Sequence, residues 1–272
     1  MRHSIYRLSE NRKVEGDSPI LLRRLCKIGT APAVFGEALR KTIMKMNWRY
    51  EIPQLLLIMG MFAAALAAWP YAPDRIPIHW NLAGEVDGYG GKFTGLLSMP
   101  LLASVAYLLC LVLPKIDPGR ANYPSFDAAY FVIRLSALTM LVFVDTCILL
   151  VAFGHAIDMG RIMPIAVGLL FIVLGNVMGK IRPNWFVGIR TPWTLSSRRS
   201  WNQTHRLGGW LFFVMGVTIG MYGFKQTNWM IALMATDVIV SLVWIFVYSY
   251  LVWRDDPDRL NPTSISPATD EK

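Results

Sequence analysis

Acidic residues are missing from a long internal stretch of this chain: no Asp or Glu occurs between Met159 and Thr236. Charge of either sign is scarce, at 17% of 272 residues, where a soluble domain carries about a quarter. Cysteine is nearly absent. Of the three present, Cys110 and Cys147 fall in apolar runs and Cys26 in a basic segment, with no CxxC pair or Cys/His cluster. This argues against a disulfide framework and against a zinc site. There is no Gly-rich phosphate loop, HExxH, GxSxG or paired-carboxylate motif. No enzymatic activity, metal or cofactor is therefore expected.

Apolar sequence dominates instead. Hydrophobic residues make up 54% of the chain, and six runs are long enough to cross a hydrocarbon core of about 30 Å as helices. They cover approximately Ile52–Tyr71, Leu96–Pro114, Phe131–Phe153, Ile162–Met178, Gly209–Phe224 and Trp229–Trp253. The fourth and fifth are short and need helical turns from their flanks, a thinner bilayer or little tilt. Trp48, Trp69, Trp210, Trp229 and Trp253 fall near the ends of these runs, as an interfacial aromatic belt requires. The expected fold class is an all-α integral membrane protein, a bundle of six transmembrane helices.

The loops set the orientation. Eleven Lys or Arg stand against four acids up to Arg49, and six basic residues lie between Lys180 and Arg206. The loops after the first, third and fifth spans carry far fewer: Arg75 and Lys92, then Arg161, then Lys225. The positive-inside bias then places both termini and the Lys180–Trp210 loop in the cytoplasm. It also accounts for the net charge of +9 without nucleic acid, because the arginines sit between apolar spans rather than on one polar domain. The phospholipid bilayer is the expected partner.

Four regions follow. Residues 1–47 form a basic cytoplasmic extension, and 48–114 hold two spans with an external loop. Residues 115–253 hold four more spans, and 254–272 a polar cytoplasmic tail. The extension has three open readings: a disordered tail, a surface helix opened by Ser18-Pro19 with Leu21, Leu22, Leu25 and Ile28 on one face, or translation beginning at Met44 or Met46.

Two loops concentrate the unusual residues. In the external one, Pro73 and Pro77 favour extended backbone over Ile76–Asn81, and the glycines at 84, 88, 90 and 91 supply turns. His79, Trp80, Asn81 and Asp87 are its candidate contact residues. One His with scattered Glu85 and Asp87 is too few donors for a metal site. In the internal loop, Thr191-Pro192 reads as an N-cap and first helical position, and Ser196 or Ser197 as a second start with Gly208-Gly209 as its stop. Arg182, Asn184, Arg190, Thr191, Trp193, Arg198, Trp201, His205 and Arg206 are its candidate contacts, with Trp and Arg suited to the lipid headgroup layer. Within the spans, Asp145, Asn176 and Asp237 are the embedded polar groups. Asp145 is expected to face the bundle, and Arg134 lies eleven residues before it, too far along one helix to pair with it.

The run Asn176–Leu195 (NVMGKIRPNWFVGIRTPWTL), continuing through Trp201, Thr204-His205-Arg206 and Gly208-Gly209, resembles the signature of the SdpI family of bacterial membrane immunity proteins. The external Ile76–Asn81 (IPIHWN) with Gly84, Asp87 and Gly88 is similar to the small membrane domain that often precedes that signature. The resemblance implies a six-span inner-membrane protein. It also implies resistance to a secreted peptide toxin, with an extracellular antimicrobial peptide and a cytoplasmic repressor as partners. A small transporter or proton-coupled exporter using Asp145 and Asp237 is the alternative reading.

Overall fold

A computed structural model describes residues 47–259 except residue 82. The expectations for the N-terminal extension lie outside the described residues. The elements are α1 (Trp48–Ala68), β1 (Ile76–Trp80), β2 (Val86–Gly90), α2 (Lys92–Ile116), a 3-10 turn (Arg120–Ser125), α3 (Asp127–Ala152), α4 (Met159–Met178), α5 (Pro192–Ser196), α6 (Arg198–Phe224) and α7 (Asn228–Arg254). All the α-helices except α5 are long and apolar enough to cross a membrane, with mean hydropathy between 1.5 and 2.3. Their outward faces confirm the solvent. Leu56, Met59 and Leu66 on α1, Leu108 and Leu109 on α2, and Ile239, Leu242 and Phe246 on α7 are all more than 50% exposed, an arrangement favourable in lipid and not in water.

Helix ends follow local chemistry. The Asn47 side chain accepts from Arg49 N at α1, Asp158 from Arg161 N at α4, and Ser197 from Ser200 N at α6. Thr191 caps α5 in a reciprocal box with Thr194, and Pro192 follows at the first position.

Two sequence expectations need correction here. The external loop contains an antiparallel hairpin of β1 and β2, with Ile76 opposite Gly90 and Trp80 opposite Val86. Ile76 is fully buried against Leu96 of α2 and Ile148 of α3, so the extended segment expected at Ile76–Asn81 gains a partner strand at Val86–Gly90, where the glycine content marks only turns. Second, Gly208-Gly209 stops nothing. α6 runs unbroken from Arg198 to Phe224, because these glycines let it press against its neighbours: a Cβ at Gly209 would lie 2.7 Å from Gly175 O, and one at Gly208 would lie 2.3 Å from Ile189 Cδ1. At 27 residues α6 is about 40 Å long, longer than the hydrocarbon core, so its first turns stand beyond the core at the basic end. This is how the short fifth apolar run becomes a full span.

The core is stratified. Ala65, Ala68, Leu96 and Ile148 pack under the hairpin, and Ile58, Met61, Ala103 and Leu138 fill the middle of α1–α3. Tyr123, Phe126, Tyr130, Val177, Met178, Ile181 and Trp201 fill the basic end. α4 and α6 meet along a glycine seam, where Gly168 faces Gly216 and Gly220, and Gly175 faces Gly209. Such close approach is the common solution for helix pairs in lipid, where dispersion replaces the hydrophobic effect as the driving force.

Candidate functional site

The basic loop is a folded lid built on three inward-facing anchors. Asn184, 2% exposed, donates to Arg182 O and Val187 O, each at 2.9 Å, and its carbonyl accepts from Phe186 N at 2.9 Å and Val187 N at 2.6 Å. All its capacity goes to the loop's own backbone. Asp117, 1% exposed at the end of α2, accepts from Gly119 N, from Trp185 N at 3.0 Å and from the Tyr123 hydroxyl at 2.9 Å. Asn122 adds a 2.7 Å bond to Pro183 O. Burial and the Asp117 carboxylate together raise the Tyr123 pKa above the usual phenol range, so Tyr123 remains a donor.

The third anchor is His205, fully buried and stacked on Trp201 at 4.1 Å between ring centroids. Ile189 N donates to its Nε2 at 2.9 Å, which requires a lone pair there, so the proton sits on Nδ1 and is donated to Trp201 O at 2.8 Å. Gly188, at φ +110°, makes this possible, since a Cβ there would lie 2.3 Å from Nε2. Trp201 in turn donates from Nε1 to Ile181 O at 2.9 Å.

The far side of the lid is fastened to α7. Thr191 donates to Ser249 Oγ at 3.0 Å, Ser200 to Ser249 O at 2.8 Å, Ser197 to Asp256, and Arg199 to Asp255 O at 3.2 Å. Trp193 lies edge-on to Phe246 and Tyr250. These contacts sort the candidate residues by what they can reach. Asn184, Thr191, Trp201 and His205 are buried and hold the lid, so the expectation that they meet a partner or headgroup directly is corrected. Trp193 and Arg198 are half-buried. Arg182, Arg190 and Arg206 are exposed, and the lid also presents Lys180 and, at 50% exposure, Trp185. Arg190 is aimed by a 3.0 Å bond to Trp185 O.

The hairpin is organised in the same way. Asn81 ties the tip, accepting from Ala83 N at 2.9 Å and Glu85 N at 3.0 Å and donating to the Glu85 carboxylate at 3.1 Å. His79 and Asp87 pair at 2.5 Å on the exposed face, and Trp80 packs inward on the cluster beneath. Gly84, at φ +81°, rests on Gly160 at the start of α4. Among the described residues no group of three potential ligands could hold a metal ion.

Asp145 is 3% exposed and its Oδ1 has no hydrogen-bond partner among the described residues. Asp237 accepts from Thr218 at 2.7 Å and from Ser241 at 3.4 Å, a local cluster between α6 and α7. Asn176 is exposed on the outer surface of α4, which corrects its expected place among interior polar groups and takes it off any route through the bundle. No hydrogen bond among the described residues joins these three.

The sequence reading missed the strongest polar contact in the spans. Arg134, 5% exposed, grips Glu51, 3% exposed, with two bonds of 3.0 and 2.5 Å. Tyr107 donates to the same carboxylate at 2.9 Å, and the guanidinium sits over the Tyr107 and Tyr130 rings. An Arg just inside an apolar span demands a buried acid, and Glu51 lies at the same end of α1. That is the signal from which the pair is deducible.

Six lipid-facing helices, a hairpin at one end and a hydrogen-bonded basic lid at the other define a multi-pass membrane protein with folded loops. Residues 180–249, the lid with α6 and most of α7, match the SdpI/YfhL protein family, and residues 56–103 match a domain of unknown function, DUF1648. The chain is also similar to "Immunity protein SdpI" of Bacillus subtilis (strain 168), 25% identical over 217 residues that cover 78% of this chain and 97% of that protein. The SdpI/YfhL match and this similarity both support membership of the SdpI family. No solved structure matches it.

Proposed function

We propose that this chain is an immunity protein of the bacterial inner membrane that protects its host against a secreted peptide toxin, without enzymatic chemistry. The observation that carries this reading is the near end-to-end similarity to Immunity protein SdpI. The residue pattern supports a division of labour. The exposed His79–Asp87 face of the hairpin is the element available to a peptide outside. The exposed Arg182, Trp185 and Arg190 are available to a soluble repressor inside. A peptide shifts the inner face only by binding one arrangement of the spans better than another.

The test is survival. Sensitive bacteria expressing the chain, challenged with medium from a toxin-producing strain, are expected to outlive cells carrying an empty vector. Equal survival refutes the immunity reading. Co-sedimentation of a candidate repressor with membranes tests the signalling arm separately. Partition unchanged by Arg182→Ala and Arg190→Ala together rejects docking on that face.

A further inference from the structure

Between α3 and α4 lies an apolar groove of about 550 Å³, lined by Val132, Leu135, Thr139 and Phe143 on one side and by Ala166, Leu169 and Val173 among others on the other. Ser136 also borders it but donates to Ile133 O on its own helix, so it needs no polar partner from an occupant. The lining runs from Val132 to Phe143 on α3 and from Ile162 to Val173 on α4, each eleven residue steps or about 16 Å. Val132 lies five residues from the start of α3 and Val173 five from the end of α4. The groove therefore opens roughly 7 Å below the basic end of the bundle.

What stands above that opening is charged. The stripe Ala166, Leu169, Val173 continues at helical spacing to Asn176, which is exposed. α4 ends at Met178, and Lys180 follows in a tight turn with its N–H bonded to Val177 O, four residues past Asn176. Arg206 joins from α6: a Cβ on Gly179 would lie 3.8 Å from Arg206 Cα. Lys180 and Arg206 are exposed, and neither forms an ion pair among the described residues. No carboxylate occurs between Met159 and Thr236, and Asp127, which opens α3 at the same end, accepts from Ala128 N.

We propose that this groove is a specific site for an anionic phospholipid of the leaflet at the basic end. One acyl chain lies between α3 and α4, and the phosphate rests on Lys180 and Arg206 with Asn176 as an added donor. The order of groups along the site, cations first and an apolar slot beginning one to two turns deeper, is that of a phospholipid. The site is independent of the immunity reading.

Native mass spectrometry of the full-length protein tests this, with equimolar phosphatidylglycerol and phosphatidylethanolamine as probes. The wild type is expected to hold a first lipid with clear preference for phosphatidylglycerol. Lys180→Gln with Arg206→Gln is expected to weaken that binding by roughly tenfold or more, while Lys180→Arg keeps it. Ala166→Phe fills the slot and is expected to lose the first lipid of either headgroup. Leu169→Trp provides a second filling variant, and whichever filling variant melts and elutes as the wild type is the one read. First-lipid binding equal to wild type in the charge pair and in the filling variant overturns the proposal. So does a groove occupied by a second copy, seen as a lipid-independent dimer that Ala166→Phe dissociates.

Discussion

Arg134 and Glu51 carry opposite charges into a region where an unpaired charge is costly. Two hydrogen bonds, a tyrosine hydroxyl and two aromatic faces take up most of their capacity. The pair joins α1 to α3, and Tyr107 brings in α2. Removing one member leaves the other buried and uncompensated, at a cost of about 3–5 kcal/mol. We expect Glu51→Gln or Arg134→Gln to cut membrane accumulation and lower the melting temperature of purified protein. Glu51→Leu with Arg134→Met should recover much of the loss, since replacing both charges removes the orphan. A double variant as unstable as the worse single one would mean the pair does more than neutralise itself. At the same scale, His205 shows how composition misleads. An Arg- and Trp-rich loop containing one His suggests a ligand site, yet this His is spent on Ile189 N and Trp201 O.

Among the elements, the α4–α6 seam is the tightest join. Gly168, Gly175, Gly209 and Gly216 each leave room for no Cβ: the nearest backbone oxygen would be 2.5 to 2.7 Å away. We expect Gly175→Val to destabilise the protein by about 1–3 kcal/mol or more, because overpacking here must push two backbones apart. Gly60→Ala in α1, where a Cβ meets nothing within 4 Å, should be neutral or slightly stabilising through its higher helix propensity. Thermal melts in one detergent compare the two directly. Similar losses would show that helix flexibility rather than close approach is what these glycines provide. The caps at Thr191 and Ser197 are legible from the sequence because a cap is a short-range event. The role of Gly208-Gly209 is not: in sequence a glycine pair reads as a stop, and only the presence of α4 and Ile189 makes it a contact surface.

For the whole molecule, the central question is which end faces the cell interior. Lys180, Arg182, Arg190, Arg198, Arg199 and Arg206 gather at the end where α2, α4 and α7 finish, opposite the hairpin. The positive-inside bias predicts that this end is cytoplasmic. A single cysteine at position 198, in a background lacking the native three, should resist an impermeant thiol reagent in intact spheroplasts and react after lysis. One at Asn81 should react in both. The reverse pattern inverts the topology and, with it, the assignment of hairpin to outside and lid to inside.

The six spans, their charge bias and the turn-forming ends follow from local composition, since burying about 20 apolar residues in lipid needs no knowledge of neighbours. The tertiary structure alone decides which polar residues are spent inside and which are left to act. Trp201 and Arg206 lie five residues apart on one helix, one fully buried and the other exposed. The difference arises because α4 and the lid cover one side of α6 and leave the other open, and packing between distant segments is a property no local window contains.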